Sequence, residues 1–167
     1  MRKALLAIFL LFSFNLYGAG AKIDIPKYDW SWKGFFGTYD RASAQRGLKV
    51  YREVCAGCHS MNYLSYRNLA DLGFSEDHIK AIAAEHLVLD GPNDEGEMFE
   101  RDGIPSDQFV NPYLNEKAAR AANNGAYPPD LSLIVKARPK GADYIKALLL
   151  GYVDPPEEIK VPKGQHY

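Results

Sequence analysis

A mainly α-helical fold is predicted for this chain, with long irregular connections, on three observations. Apolar residues recur at helical spacing in several short blocks. Glycine and proline cluster between those blocks. No stretch alternates apolar and polar side chains as a half-buried strand would.

Taken in order, the elements begin with a leader. Arg2 and Lys3 precede an apolar run from Ala4 to Leu16, and Ala19-Gly-Ala21 then supplies small residues, the layout of a signal peptide cleaved after Ala21. That run is shorter than the roughly 20 residues a bilayer crossing needs. The division expected is therefore 1–21 signal peptide and 22–167 one domain, since the 167 residues have a near-average globular composition. Between Asp24 and Thr38, Tyr28, Trp30, Trp32, Phe35 and Phe36 alternate with Pro26, Gly34 and Gly37, which reads as an extended arm laid on an apolar surface or as core aromatics.

From Arg41 to Val54 the series Ala44, Gly47, Leu48, Val50, Tyr51, Val54 predicts a helix. A second helix is expected from Tyr63 to Leu72, stopped at Gly73. A third is expected from Ser75 to about Val88, with Ser75 as cap and Asp77 favourable in the first turn. Asp90 to Pro112 holds Gly91, Pro92, Gly96, Gly103 and Pro105 and is expected to be a long loop. A short helix from Asn115 to Ala122 ends at Asn123-Asn124-Gly125, Asp130 or Ser132 opens another turn, and Ala142 to Leu150 forms a last helix closed by Gly151.

Charge narrows the partners. Without Arg2 and Lys3 the 20 basic residues become 18 against 21 acidic, a net of -3, which argues against nucleic acid. Asp90, Asp94, Glu95, Glu97, Glu100 and Asp102 form an acidic stretch relieved only by Arg101, suited to docking a basic protein. It is not a helix-loop-helix calcium loop, because Pro92 and Gly96 fall at the wrong positions.

The chemistry concentrates at Cys55-Ala-Gly-Cys58-His59, which contains both cysteines of the chain. Two thiols one helical turn apart can form thioethers with the two vinyl groups of a porphyrin, and the adjacent histidine then sits beneath the iron. A zinc site would need further ligands, and a redox dithiol of the thioredoxin kind would follow a strand in an alternating βαβ pattern. Neither context is present in the sequence, so one covalently attached haem c is expected, with His59 as axial iron ligand. His78 and His86 read as solvated or packed side chains, and His166 at the end of the chain carries no assignment. For a second axial ligand, Met1 leaves with the signal, Met61 is too close to His59 to reach the opposite face, and Met98 lies in the acidic loop.

The series Tyr28-Asp-Trp30, Arg46-Gly-Leu-Lys-Val-Tyr51, Cys55-Ala-Gly-Cys-His-Ser-Met61, Tyr66-Arg67, Asp90-Gly-Pro-Asn-Asp-Glu-Gly-Glu-Met-Phe99, Ala118-Ala-Arg-Ala-Ala-Asn-Asn-Gly-Ala126, Pro128-Pro-Asp-Leu-Ser132 and Gly151-Tyr-Val-Asp-Pro-Pro156 resembles the cytochrome c1 family, in family order. The resemblance implies a cytochrome c-type haem domain on the periplasmic face of the bacterial inner membrane. There it would sit in the bc1 complex with cytochrome b, taking electrons from the Rieske iron-sulfur protein and passing them to a cytochrome c. It implies that Cys55 and Cys58 hold the haem, that Arg138 and Tyr144 meet its propionates, and that Tyr51, Asn123, Pro128 and Pro129 surround it, a proline carbonyl holding the free nitrogen of His59. The family continues past a tyrosine like Tyr167 with its axial methionine, a helix crossing the N-terminal one, and a membrane anchor. The chain is accordingly expected to be a C-terminally truncated member, with the distal methionine beyond Tyr167 and the apolar face of Leu48, Tyr51 and Val54 left without its partner.

Overall fold

The structure is a computed structural model that describes residues 24–162 and 164–167. The expected signal peptide lies outside the described residues.

Helix α1 (Arg41–Val50) starts where the Asp40 carboxylate accepts the Ser43 N–H at 3.2 Å, satisfying one of the otherwise unpaired first-turn donors. It does not run on as an α-helix to Val54. Tyr51–Cys55 form a π-turn, closed by Ala56 N–H donating to Tyr51 O at 2.8 Å. The second predicted helix is a 3-10 helix over Tyr66–Leu72, ended by Gly73 at φ 90°, a left-handed position where a β-carbon is costly. Helix α2 (Glu76–Ala84) is capped by Ser75, whose hydroxyl accepts the His78 N–H at 3.3 Å.

Leu87–Asp90 is not the end of a helix but strand β1, paired antiparallel with β2 (Phe99–Asp102) inside the segment expected to be a loop. The register sets Leu87 opposite Asp102 and Asp90 opposite Phe99. The strands of this hairpin are mostly exposed, so neither carries the alternating apolar pattern by which a half-buried strand is recognisable. Arg101 fixes it, donating from Nη1 and Nη2 to the Asp107 carboxylate at 2.7 and 3.0 Å while its Nε pairs with Asp90.

The chain then returns to the 3-10 helix. Asp107 O accepts from Tyr66 N at 3.0 Å, Pro105 O from Arg67 N at 2.7 Å, and Leu64 O from Phe109 N at 3.0 Å. These bonds deliver Phe109 into the core, stacked on Tyr66 at a centroid distance of 4.7 Å. Tyr51, Leu69, Ile79, Ile82 and Ala83 complete that core, with Leu48 and Met61 packed on its edge. The apolar face expected to be bare is thus partly covered by the chain itself: Tyr51 is 7 % exposed, whereas Val54 stands at 71 %.

Helices α3 (Glu116–Ala122), capped by Asn115, and α4 (Ile134–Ala137) lead to α5 (Ala142–Leu150). The aromatic arm lies against α5 and not in the core. Trp30 Nε1 donates to Asp143 Oδ1 at 2.6 Å, and the Lys146 ammonium sits 4.1 Å from the Tyr28 ring centroid. Trp30, Trp32 and Tyr39 stack in succession at 4.5 and 5.0 Å. Among the described residues no helix is long and apolar enough to cross a membrane.

Candidate functional site

On an uninterrupted α-helix, positions 51, 55 and 58 share a face, so burying Tyr51 would bury both thiols with it. The π-turn breaks that phase. Tyr51 enters the core while Cys55 is half-buried and Cys58 exposed. Cys58 N and His59 N both donate to Cys55 O, at 3.0 and 2.8 Å, so the motif closes as one compact turn at the surface.

His59 Nδ1 lies 2.8 Å from Pro129 O. A carbonyl can only accept, so Nδ1 carries the hydrogen and Nε2 keeps its lone pair free for a metal. Beneath the turn, the Tyr51 hydroxyl donates to His59 O at 3.3 Å. Burial first, then the nearby Asp130 charge, pushes the Tyr51 phenol up to about 12, so it remains a donor.

The frame around this pair was not legible as a site residue by residue. Asp130 Oδ2 accepts from Ser60 Oγ and from Asn62 N, both at 2.8 Å, and Oδ1 accepts from Ser132 N at 2.8 Å. Ser132 Oγ in turn accepts the Tyr63 N–H at 3.0 Å, and Leu131 N donates to Ser60 O at 2.9 Å. Partial burial pushes the Asp130 carboxyl upward, but the bonds from Ser132, Asn62 and Ser60 outweigh it and hold the group at about 2. In the sequence Asp130 and Ser132 appear as turn-opening residues and within the Pro128–Ser132 motif, and neither signal shows the bonds to Ser60 and Asn62.

A cleft of about 240 Å³ opens beside Cys58, lined by Pro128, Tyr113, Tyr127, Leu114 and Ala119 among others. Asn123 stands behind it, its amide donating to Tyr113 Oη at 3.0 Å and Ala119 O at 2.7 Å. Cys58, His59, Pro128, Pro129 and, through Tyr113, Asn123 are therefore brought together. Arg138 is exposed between α4 and α5, and Tyr144 lines a separate apolar cleft with Ile25, Tyr28 and Tyr152. Met98 is 54 % exposed next to the hairpin, and His86 stacks on Tyr66 at 5.9 Å.

The donor set fits the group expected from the sequence: two free thiols and an imidazole with Nε2 unblocked stand on one surface turn, beside exposed apolar side chains such as Leu114 and Tyr127. Comparison with known proteins points the same way. The Cytochrome C1 family profile matches residues 30–167. "Cytochrome c1 1, heme protein, mitochondrial" of Arabidopsis thaliana is 56 % identical over 145 residues, covering 87 % of this chain and 47 % of the relative. Cytochrome c1 of Rhodospirillum rubrum is 56 % identical over 137 residues, 81 % of this chain and 50 % of the relative. The "Cytochrome b-c1 complex catalytic subunit, mitochondrial" of Candida albicans is 52 % identical over 143 residues, 85 % of this chain and 50 % of the relative. The chain spans about half the length of these curated relatives. With the profile matching most of its residues, the chain belongs to the cytochrome c1 family.

Proposed function

We propose that this chain is the electron-carrying haem subunit of a bc1-type complex, with one haem c held by thioethers to Cys55 and Cys58 and ligated by His59. The observation that carries the reading is the surface turn in which both thiols are free and Pro129 O fixes His59 in the tautomer that leaves Nε2 open. When bound, the haem supplies a one-electron ferric/ferrous couple.

The chain's own residues do the rest. Pro129 O orients the imidazole and raises its basicity. Tyr51 and the Asp130 frame hold the turn, and the exposed side of Cys58 leaves the group's edge open to a partner. Asn123, Pro128 and Pro129 would line the crevice; the resemblance assigns the propionates to Arg138 and Tyr144, of which Tyr144 here lines the separate cleft with Ile25, Tyr28 and Tyr152. The electron comes from a Rieske iron-sulfur protein and goes to a cytochrome c, with cytochrome b as membrane neighbour, on the periplasmic face of the inner membrane. The acidic hairpin, carrying Asp94, Glu95 and Glu97, draws a basic acceptor. The names of the relatives support membership of this complex.

The test is to express the chain with the haem c maturation machinery, extract with acid acetone, and record reduced-minus-oxidised spectra. Haem that stays with the polypeptide and is lost in Cys55→Ser/Cys58→Ser confirms the assignment. A colourless product that instead reduces disulfides would overturn it in favour of an exported thiol-disulfide oxidoreductase.

A further inference from the structure

We infer that Asp130 is a positioning residue for the axial histidine: by tying Ser60 and Asn62 to the segment that follows Pro129, directly beside the His59–Pro129 bond, it sets the strength of the Nδ1–H to Pro129 O hydrogen bond and thereby the potential of the iron. The inference rests on the functional reading above.

The geometry is a frame. Ser60 follows His59 and Asp130 follows Pro129, so the Ser60 Oγ–Asp130 Oδ2 bond, 2.8 Å, lies one residue beyond the His59–Pro129 contact on each segment, and the Leu131 N–Ser60 O bond, 2.9 Å, backs it one residue further along the second. The contact spans 70 positions of sequence, and no helix or sheet shared by the two segments holds it. Asn62 N and Ser132 N add two bonds to the same carboxylate.

Every group facing Asp130 in these bonds donates to it, and a carboxylate is the side chain that offers only acceptors. An amide of the same shape would aim N–H at N–H in at least one place. Among the described residues Asp130 forms no ion pair, so its charge is stabilised by these neutral donors and remains, uncompensated, close to the histidine. A firmly held Nδ1–H gives imidazole partial anionic character, which favours ferric over ferrous iron.

The experiment compares holoprotein of the parent chain with Asp130→Asn and Ser60→Ala. It measures the midpoint potential and, by 15N-histidine NMR of the diamagnetic reduced carbon monoxide adduct, the exchange rate of the His59 Nδ1 proton. In Asp130→Asn the potential is expected to rise and exchange to quicken about tenfold, the factor that weakening one hydrogen bond of ordinary strength gives. Ser60→Ala keeps the charge, so a smaller shift in the same direction isolates positioning from lost charge. Should Asp130→Asn fail to mature, Ser60→Ala still decides. Unchanged potential and exchange in Ser60→Ala, with haem present in the parent, overturns this inference alone. No covalent haem in the parent overturns the functional reading as well.

Discussion

Replacing Leu69 by alanine tests whether the small core beside the motif holds this chain together. Leu69 is 1 % exposed on the 3-10 helix, among Tyr51, Tyr66, Ile79, Ile82 and Phe109. The change deletes three buried carbon groups at about 0.8 kcal/mol each, roughly 2.4 kcal/mol of transfer free energy. The surrounding rings can collapse only partly into the gap, so a residual cavity brings the cost to about 3–4 kcal/mol. Against a total of about 5–15 kcal/mol for a typical domain, that is a large share. The assay is urea unfolding of the holoprotein followed by far-ultraviolet circular dichroism, in which the midpoint should fall with the slope unchanged. Leu89→Ala serves as the control, since Leu89 is 64 % exposed on β1, away from the motif, and its loss should stay within about 0.5 kcal/mol. A loss at Leu69 below about 1 kcal/mol, or no larger than that at Leu89, would refute the assignment of the core.

Two further outcomes follow from single contacts. A β-carbon on Gly103 would lie 2.5 Å from Ala83 O, so Gly103→Ala should lower stability by about 1–3 kcal/mol, whereas nothing lies within 4 Å of one on Gly57, and Gly57→Ala between the two cysteines should keep both stability and haem content. Equal unfolding midpoints for the two variants would show the Gly103 contact to be wrong. The hydrogen bonds of Arg101 hold the Asp107 carboxyl below its usual range, against the upward push of partial burial and with help from the Ile104 N–H. Its folded value lies below its unfolded one, so its stabilisation is complete above the ordinary carboxylate pKa of about 3.9 and is lost as pH falls through the lower folded value. Asp107→Asn should therefore flatten the acid limb of a plot of urea midpoint against pH; parallel limbs for parent and variant would contradict the pairing.

What was legible in the amino-acid order was local. Cys55, Cys58 and His59 declare their chemistry by adjacency, because a turn brings neighbours together whatever the rest of the chain does. Ser75, Gly73, Asn115 and Gly151 marked helix ends correctly, since caps act within three or four residues. The family, too, was readable from ordered motifs, and the profile match to residues 30–167 agrees.

What only the tertiary structure decided is everything that depends on distant partners. The π-turn at Tyr51–Cys55 has no propensity signature; it accompanies the packing of Tyr51 against Phe109 at 6.0 Å while Cys55 stays half-buried at the core edge and Cys58 is exposed. The β1–β2 hairpin is held by Arg101 reaching Asp90 and Asp107, and its strands carry no apolar alternation to announce it. Asp130 is the clearest case. In sequence it reads as a turn opener, and only the fold brings Ser60 and Asn62 to it across about 70 residues, turning a local cap into the brace beside the axial histidine.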